Sequence, residues 1–233
     1  TTAANILNIK AGTYSATNNR LKVPALASTA LTSGTSESNR TYVQGNPGGA
    51  RPQLNVPNFI EMNAQSATKN RNWLTIRNLN IDGTGESDTG GSTLKVSGHH
   101  ITIEDVLIQD FYNVGIGLFC DTAIDTQPCD FAVIRRIETD GDTAQSDGHI
   151  ACIYLADADD SLIEHVNCHG SNTGFQMVAS GAEQTDRLTI RNNWIHAMSP
   201  ATQSGFVGRC QGIPSEGIDN VINDNVIDLS GCV

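Results

Sequence analysis

Apolar and polar residues alternate in short runs over most of this chain, and one such run keeps returning. LTIRNLNID (74–82), ITIEDVLIQ (101–109), AVIRRIETD (132–140), SLIEHVNCH (161–169), LTIRNNWIH (188–196) and NVINDNVID (220–228) share one shape. The third residue of each is isoleucine: Ile76, Ile103, Ile134, Ile163, Ile190 and Ile222. Five residues further on come Ile81, Ile108, Thr139, Cys168, Ile195 and Ile227. The anchors are separated by 27, 31, 29, 27 and 32 residues, so the chain is a repeat protein with a unit of about 29.

Period-two alternation means strands with one buried face. Two residues after each anchor the alternation breaks, at Asn78, Asp105, Arg136, His165, Asn192 and Asp224. Asn and Asp tolerate the left-handed backbone of a tight bend, so the break predicts a corner between two short strands. A third strand precedes each next unit: TLKVS (93–97), GIGLFC (115–120), IACIYLA (150–156), GFQMVA (174–179) and GFVGR (205–209). Three short strands per coil, with coils stacked so that like residues sit above one another, describe a parallel β-helix. The chain is expected to be one all-β domain over 1–233, with less regular coils over 1–64 and regular ones over 65–233. The early coils are read from ILNIKAGTY (6–14), RLKVPAL (20–26), RTYVQGNPGG (40–49) and FIEMNA (59–64).

The phrases NIKAGTY, LTIRNLNIDG, HHITIEDVLIQD and LTIRNNWIH resemble the right-handed parallel β-helix proteins of the pectate-lyase-like superfamily. The resemblance spans nearly the whole chain and is carried by strand and bend residues. It implies a right-handed solenoid and a secreted protein that handles polysaccharide: a lyase, a hydrolase, an epimerase, a tailspike or a non-catalytic carbohydrate-binding module of the xylan-binding type. Fold alone does not choose among these.

Composition narrows the choice. The chain has 233 residues with 38% hydrophobic content, too apolar for a disordered segment. Its longest apolar run is far too short to span a membrane. Fourteen basic residues against 25 acidic ones give a net charge of −11, and four of the basic residues are lysine. Nucleic acid is therefore a poor ligand, since its recognition rests on clustered Lys and Arg, and polyuronates are disfavoured by the same reasoning. Six cysteines without zinc-finger spacing point to disulfides in an oxidising compartment. Cys120 and Cys129 bracket a short loop and form a natural pair. Cys210 and Cys232 occupy corresponding places on successive coils, so they are a second candidate pair, and Cys168 falls at an inward position where a buried thiol would fit.

The repeat fixes which side chains face out. In the third strand the inward set is Leu94, Ile153, Phe175 and Phe206, leaving Lys95, Phe119, Tyr154, Gln176 and Val207 outside, with Arg209 just beyond. In the resembled family this sheet floors the substrate groove. Phe119 and Tyr154 would then sit one sheet spacing apart, as a platform for sugar rings, with Gln176, Lys95 and Arg209 bonding hydroxyls. A second outward column holds Glu138, Asp140, His169, His196 and Trp194, of which Trp194 is a costly residue to leave bare. The loop TDGDTAQSDGH (139–149) gathers Asp140, Asp142 and Asp147, a candidate Ca²⁺ cage, although its spacing departs from an EF-hand. Asp157, Asp159 and Asp160 read as a solvated turn, and His99, His100 and His165 as structural.

A lyase would need Ca²⁺ at those aspartates and Lys95 or Arg209 as base. A hydrolase would need paired carboxylates on adjacent coils, but SNTGF (171–175) lacks the aspartate that the β-helical polygalacturonases carry there. The expectation is a non-catalytic polysaccharide-binding module for a neutral or weakly charged plant glycan such as xylan. Its partners would be the glycan and the catalytic domains of a larger parent polypeptide. A small lyase or hydrolase is the alternative, and a structural or adhesive solenoid the third.

Overall fold

The computed structural model describes residues 5–15, 21–22, 33–55, 60–61, 72–84, 92–120, 129–141, 151–178, 185–199, 210–214 and 217–232. The early strands are β1 (Ile6–Ile9), β2 (Thr13–Tyr14), β3 (Leu21–Lys22), β4 (Thr41–Gly45), β5 (Gln53–Asn55) and β6 (Ile60–Glu61). The regular coils follow as β7 (Leu74–Asp82), β8 (Ser92–Val96), β9 (Thr102–Phe111), β10 (Val114–Phe119), β11 (Val133–Gly141) and β12 (Ala151–Ala156). Then come β13 (Leu162–His169), β14 (Thr173–Val178), β15 (Thr189–Arg191), β16 (Trp194–Ile195), β17 (Val221–Asn223) and β18 (Val226–Ile227).

Every pairing among these strands is parallel. One sheet runs β1-β4-β7-β9-β11-β13-β15-β17, with β2, β5, β16 and β18 continuing its ladders, and the other runs β14-β12-β10-β8-β6-β3. From β7 to β14 the chain alternates between the sheets, so each strand pairs with the strand one coil away. That alternation is the parallel β-helix the repeat predicts, and the protein is all-β.

The bend residues behave as expected. Asn78, Asp105, Arg136, His165, Asn192 and Asp224 all take positive φ, between 53° and 57°. In β7, β9, β11 and β13 the bend does not interrupt the strand, so the two predicted short strands run as one. In the last two coils they separate. There the apolar residue after the bend is replaced by Asn193 and Asn225. Asn193 Oδ1 accepts from the Val166 N–H, and its Nδ2 donates to Asn225 Oδ1, so side-chain amides take over where backbone pairing lapses.

A second left-handed column lies three residues before each anchor and was not foreseen. Trp73, His100, Phe131, Asp160, Arg187 and Asp219 all have φ between 52° and 58°. Left-handed geometry at bulky residues is costly, and here it repeats with the same spacing as the isoleucines. His99 and His100 do sit in this corner.

Inside, the two isoleucine columns form the core. Ile76, Ile103, Ile134, Ile163 and Ile190 are buried, and so are Ile81, Ile108, Thr139, Cys168 and Ile195. Each buried aliphatic side chain contributes about 1.5–3 kcal/mol. Leu94, Ile153 and Phe175 face the same core from the other sheet, while Phe206 lies outside the described residues.

Three disulfides close the molecule: Cys120–Cys129, Cys152–Cys168 and Cys210–Cys232. The first and third match the pairs read from the sequence. Cys168 is not a free thiol. It bonds Cys152 across the interior, joining β12 of one sheet to β13 of the other. The expectation failed because Cys152 and Cys168 lie on different strands of one coil, and only the closing of that coil brings their Cα atoms to 6.0 Å. These bridges place the chain in an oxidising environment. No described helix is long and apolar enough to cross a membrane.

Candidate functional site

Two exposed columns carry the sugar-binding candidates. On the six-stranded sheet the paired residues are Lys95, Gly117, Tyr154 and Gln176, from β8, β10, β12 and β14. Phe119 is not in this column. It pairs with Ala156, two positions further along β10. Its ring nevertheless returns to the column, because Gly117 leaves the space empty: a Cβ on Gly117 would lie 2.1 Å from the Phe119 ring. Phe119 then stacks on Tyr154, with ring centroids 4.7 Å apart and planes 18° apart, and Lys95 Nζ lies 4.5 Å from its centroid on a cation–π contact.

This packing changes what the column offers. The Phe119 ring is engaged by Tyr154 and by Lys95, and both aromatic residues are only partly exposed. The pair presents ring edges, a phenol and an ammonium, with no open aromatic plane on Phe119. Arg209 and Val207 lie outside the described residues.

The second column is on the other sheet. Asn80, Leu107, Glu138, Asn167, Trp194 and Val226 pair in succession, and Asp82, Gln109, Asp140 and His169 form the parallel column two residues on. Trp194 is 50% exposed. Its indole stacks on His196 with centroids 3.7 Å apart and planes 18° apart, and His196 lies 5.3 Å from the ring of His169. His196 is oriented by Asn167, whose Oδ1 lies 2.8 Å from its Nε2. His169 lies between two carboxylates, with Nδ1 3.1 Å from Asp140 and Nε2 3.5 Å from Glu138. Burial pushes the His196 pKa below the usual imidazole value, nearby His169 pushes the same way, and Asp228 opposes them. Neutral imidazole therefore supports the indole near pH 7.

The chemistry of this strip is complementary to a sugar. A half-exposed indole held flat by a second ring offers an apolar plane to axial C–H groups. Asn167, His169, Glu138 and Asp140 offer donors and acceptors to hydroxyls beside it.

Asp140 thus faces His169, while Asp142 and Asp147 lie outside the described residues. Among the described residues no group of three His, Cys, Asp or Glu side chains is arranged to hold a metal ion. Asp159 and Asp160 both bind Arg187, at 2.9 and 2.8 Å. Asp130 has its pKa pushed up to about 6, first by burial and then by the charge of Asp159.

Sequence reasoning missed the aromatic corner. Trp73 stacks on His100 at 3.7 Å, and His100 lies 4.8 Å from Phe131, which is 48% exposed. The clue was present as a bulky residue three before the anchor in three consecutive coils. Comparison with protein-family models, curated proteins and solved structures gives no match. The fold and the side-chain geometry therefore carry the functional argument.

Proposed function

We propose that this chain is a secreted, non-catalytic polysaccharide-binding module, allied in kind to the β-helical modules of the pectate-lyase-like superfamily, and that it takes a neutral glycan such as xylan. The observation that carries this reading is the half-exposed Trp194 plane, backed by His196 and flanked by Asn167, His169, Glu138 and Asp140. A parallel sheet supports a linear chain along several coils, because neighbouring strands are about 4.8 Å apart, which approaches the length of one sugar residue in an extended chain. Glu138 and Asp140 favour a neutral ligand over a polyuronate. Lys95, Tyr154 and Gln176 on the opposite sheet are a secondary contact, through ring edges and polar groups. The three disulfides support secretion.

Pull-down on insoluble xylan, mannan and β-glucan, with soluble pectate and alginate alongside, tests the proposal. Binding to a neutral glycan, lost in Trp194→Ala and without release of reducing ends, is the expected result. Formation of unsaturated product from pectate or alginate, enhanced by Ca²⁺, would replace it with a lyase. Asp140, Asp142, Asp147, Lys95 and Arg209 would then be the residues to test.

A further inference from the structure

The bend after the anchor is a single left-handed residue in each regular coil, but in the coil of β4 and β5 a loop follows it. Gly45 stands at the corner position of Asn78, and the seven residues 46–52 take the place of the single residue, Leu79, that separates that corner from Asn80 in the next coil. Enlarged corners on a solenoid are where ligands are usually met. This loop overhangs the bends of the next two coils and encloses a groove of about 380 Å³, lined by Gln44, Pro47, Arg51, Arg77, Glu104 and Asp105 among others. The loop can approach so closely because position 45 is glycine: a Cβ there would lie 2.1 Å from the carbonyl oxygen of Asn78.

One residue after the anchor, Arg77, Glu104, Arg135, Glu164 and Arg191 form a column of alternating charge. Around the groove Arg135 and Arg136, which lie just outside its lining, hydrogen-bond Glu104 and Asp105, while Glu164, next in the column, is bonded by Arg191. The lining itself holds two guanidinium groups, Arg51 and Arg77, beside two carboxylates, Glu104 and Asp105, that are already bonded by Arg135 and Arg136.

Glu104 is more than nine-tenths buried. Burial alone would raise its pKa, but hydrogen bonds from Arg135 and Arg136 outweigh that and hold it below the usual carboxylate value. Those bonds, at 2.7–2.9 Å, all fall on Oε2. Its other oxygen, Oε1, has Arg77 at 3.6 Å, beyond hydrogen-bonding distance. Arg77 is steadied by Gln44, which accepts from its Nε at 2.7 Å, and by Tyr42, whose ring centroid is 5.0 Å away. Arg51 acts on Asp105 through its charge but, among the described residues, closes no ion pair.

We infer that this groove binds a small hydroxy-carboxylate: Arg51 and Arg77 hold its carboxylate, and Oε1 of Glu104 accepts from a neighbouring hydroxyl. A planar guanidinium matches a carboxylate in two-point fashion, and an ionised, desolvated Glu oxygen is a strong acceptor. The local surplus of positive charge favours a ligand with a net negative charge over a zwitterion. The site is separate from the Trp194 strip and does not depend on the polysaccharide proposal.

Calorimetric titration of the whole chain with D-gluconate tests it, with glucose, acetate and sulfate as comparison ligands. Gluconate is expected to bind, glucose not at all, and acetate and sulfate at least tenfold more weakly than gluconate. Arg51→Ala should weaken gluconate at least tenfold while leaving the melting temperature and glycan pull-down unchanged, because Arg51 is outside the charge column. Arg51→Lys should recover part of the affinity. Equal binding of glucose and gluconate, unchanged gluconate affinity in Arg51→Ala, or sulfate binding as tightly as gluconate would each overturn the assignment.

Discussion

The two sheets carry aromatic residues on their outer faces, yet only one leaves an indole plane half open to solvent. On the six-stranded sheet Phe119 fills the gap over Gly117, stacks on Tyr154 and takes Lys95 against its ring. On the other sheet Trp194 pairs with Asn167 on one side and Val226 on the other, and its stacking partner His196 comes from its own coil. Parallel coils place like residues one sheet spacing apart, so two aromatic residues on adjacent coils cover each other. A lone aromatic residue in its column stays exposed. In a solenoid, a run of aromatic residues is thus first a stabilising device, and an isolated one is the better ligand-binding candidate.

Substitutions on the two faces should separate these roles. Trp194→Ala is expected to weaken glycan binding at least tenfold, about 1.4 kcal/mol or more, with little change in unfolding midpoint. Affinity electrophoresis together with thermal melting checks both halves, and a large loss of stability would make Trp194 structural. Gly117→Val should expel the Phe119 ring from its gap and lower stability by about 1–2 kcal/mol in denaturant titration, leaving binding almost intact. Tyr154→Ala removes one stacked pair and should cost about 1 kcal/mol, with at most a small effect on binding. Equal losses of binding in Tyr154→Ala and Trp194→Ala would erase the contrast.

The smallest expected effects are in pH dependence. His196 has a lowered pKa in the folded protein, so folding disfavours its protonation. Its contribution to stability is present above about pH 6.5 and is lost as pH falls from there through the lower folded value. In a Trp73→Phe background, Trp194 fluorescence should report this as quenching by the imidazolium, with a midpoint below 6.5. Asp130 provides a contrast of opposite sign. Its pKa is raised to about 6, so the stability linked to its neutral form is complete below about pH 4 and is lost as pH rises through 6. Asp130→Asn should therefore melt higher than the parent at pH 7, with the advantage vanishing below pH 4. A constant difference across that range would show that the charge of Asp130 is not the cause.

Much of the architecture was legible in the residues. The isoleucine anchors, the left-handed corner two residues later and the outward columns on the bend side follow from local alternation and from what Asn and Asp backbones permit. The Cys120–Cys129 pair followed from proximity in sequence. Phe119 was misplaced because its strand was aligned by residue type: Gly117, two residues earlier on the same strand, holds the column position, and the Phe119 ring folds back over it to meet Tyr154 of the next coil. Cys152–Cys168 was missed for a related reason: a bond across the coil interior depends on the two sheets facing each other. The arginine groove was hidden because Arg51 reaches Arg77 and Glu104 only once a loop from one coil overhangs the next.

What the order of amino acids determined, then, was the repeat, its period and the inside and outside of each strand, since these rest on interactions between neighbours along the chain. The tertiary structure alone decided which aromatic faces are covered, which cysteine crosses the core and where Arg51 and Arg77 meet Glu104 and Asp105. The disulfide depends on the closing of one coil and the other two outcomes on contacts between coils about 29 residues apart, where packing and charge are set by stacking geometry and leave no local signature.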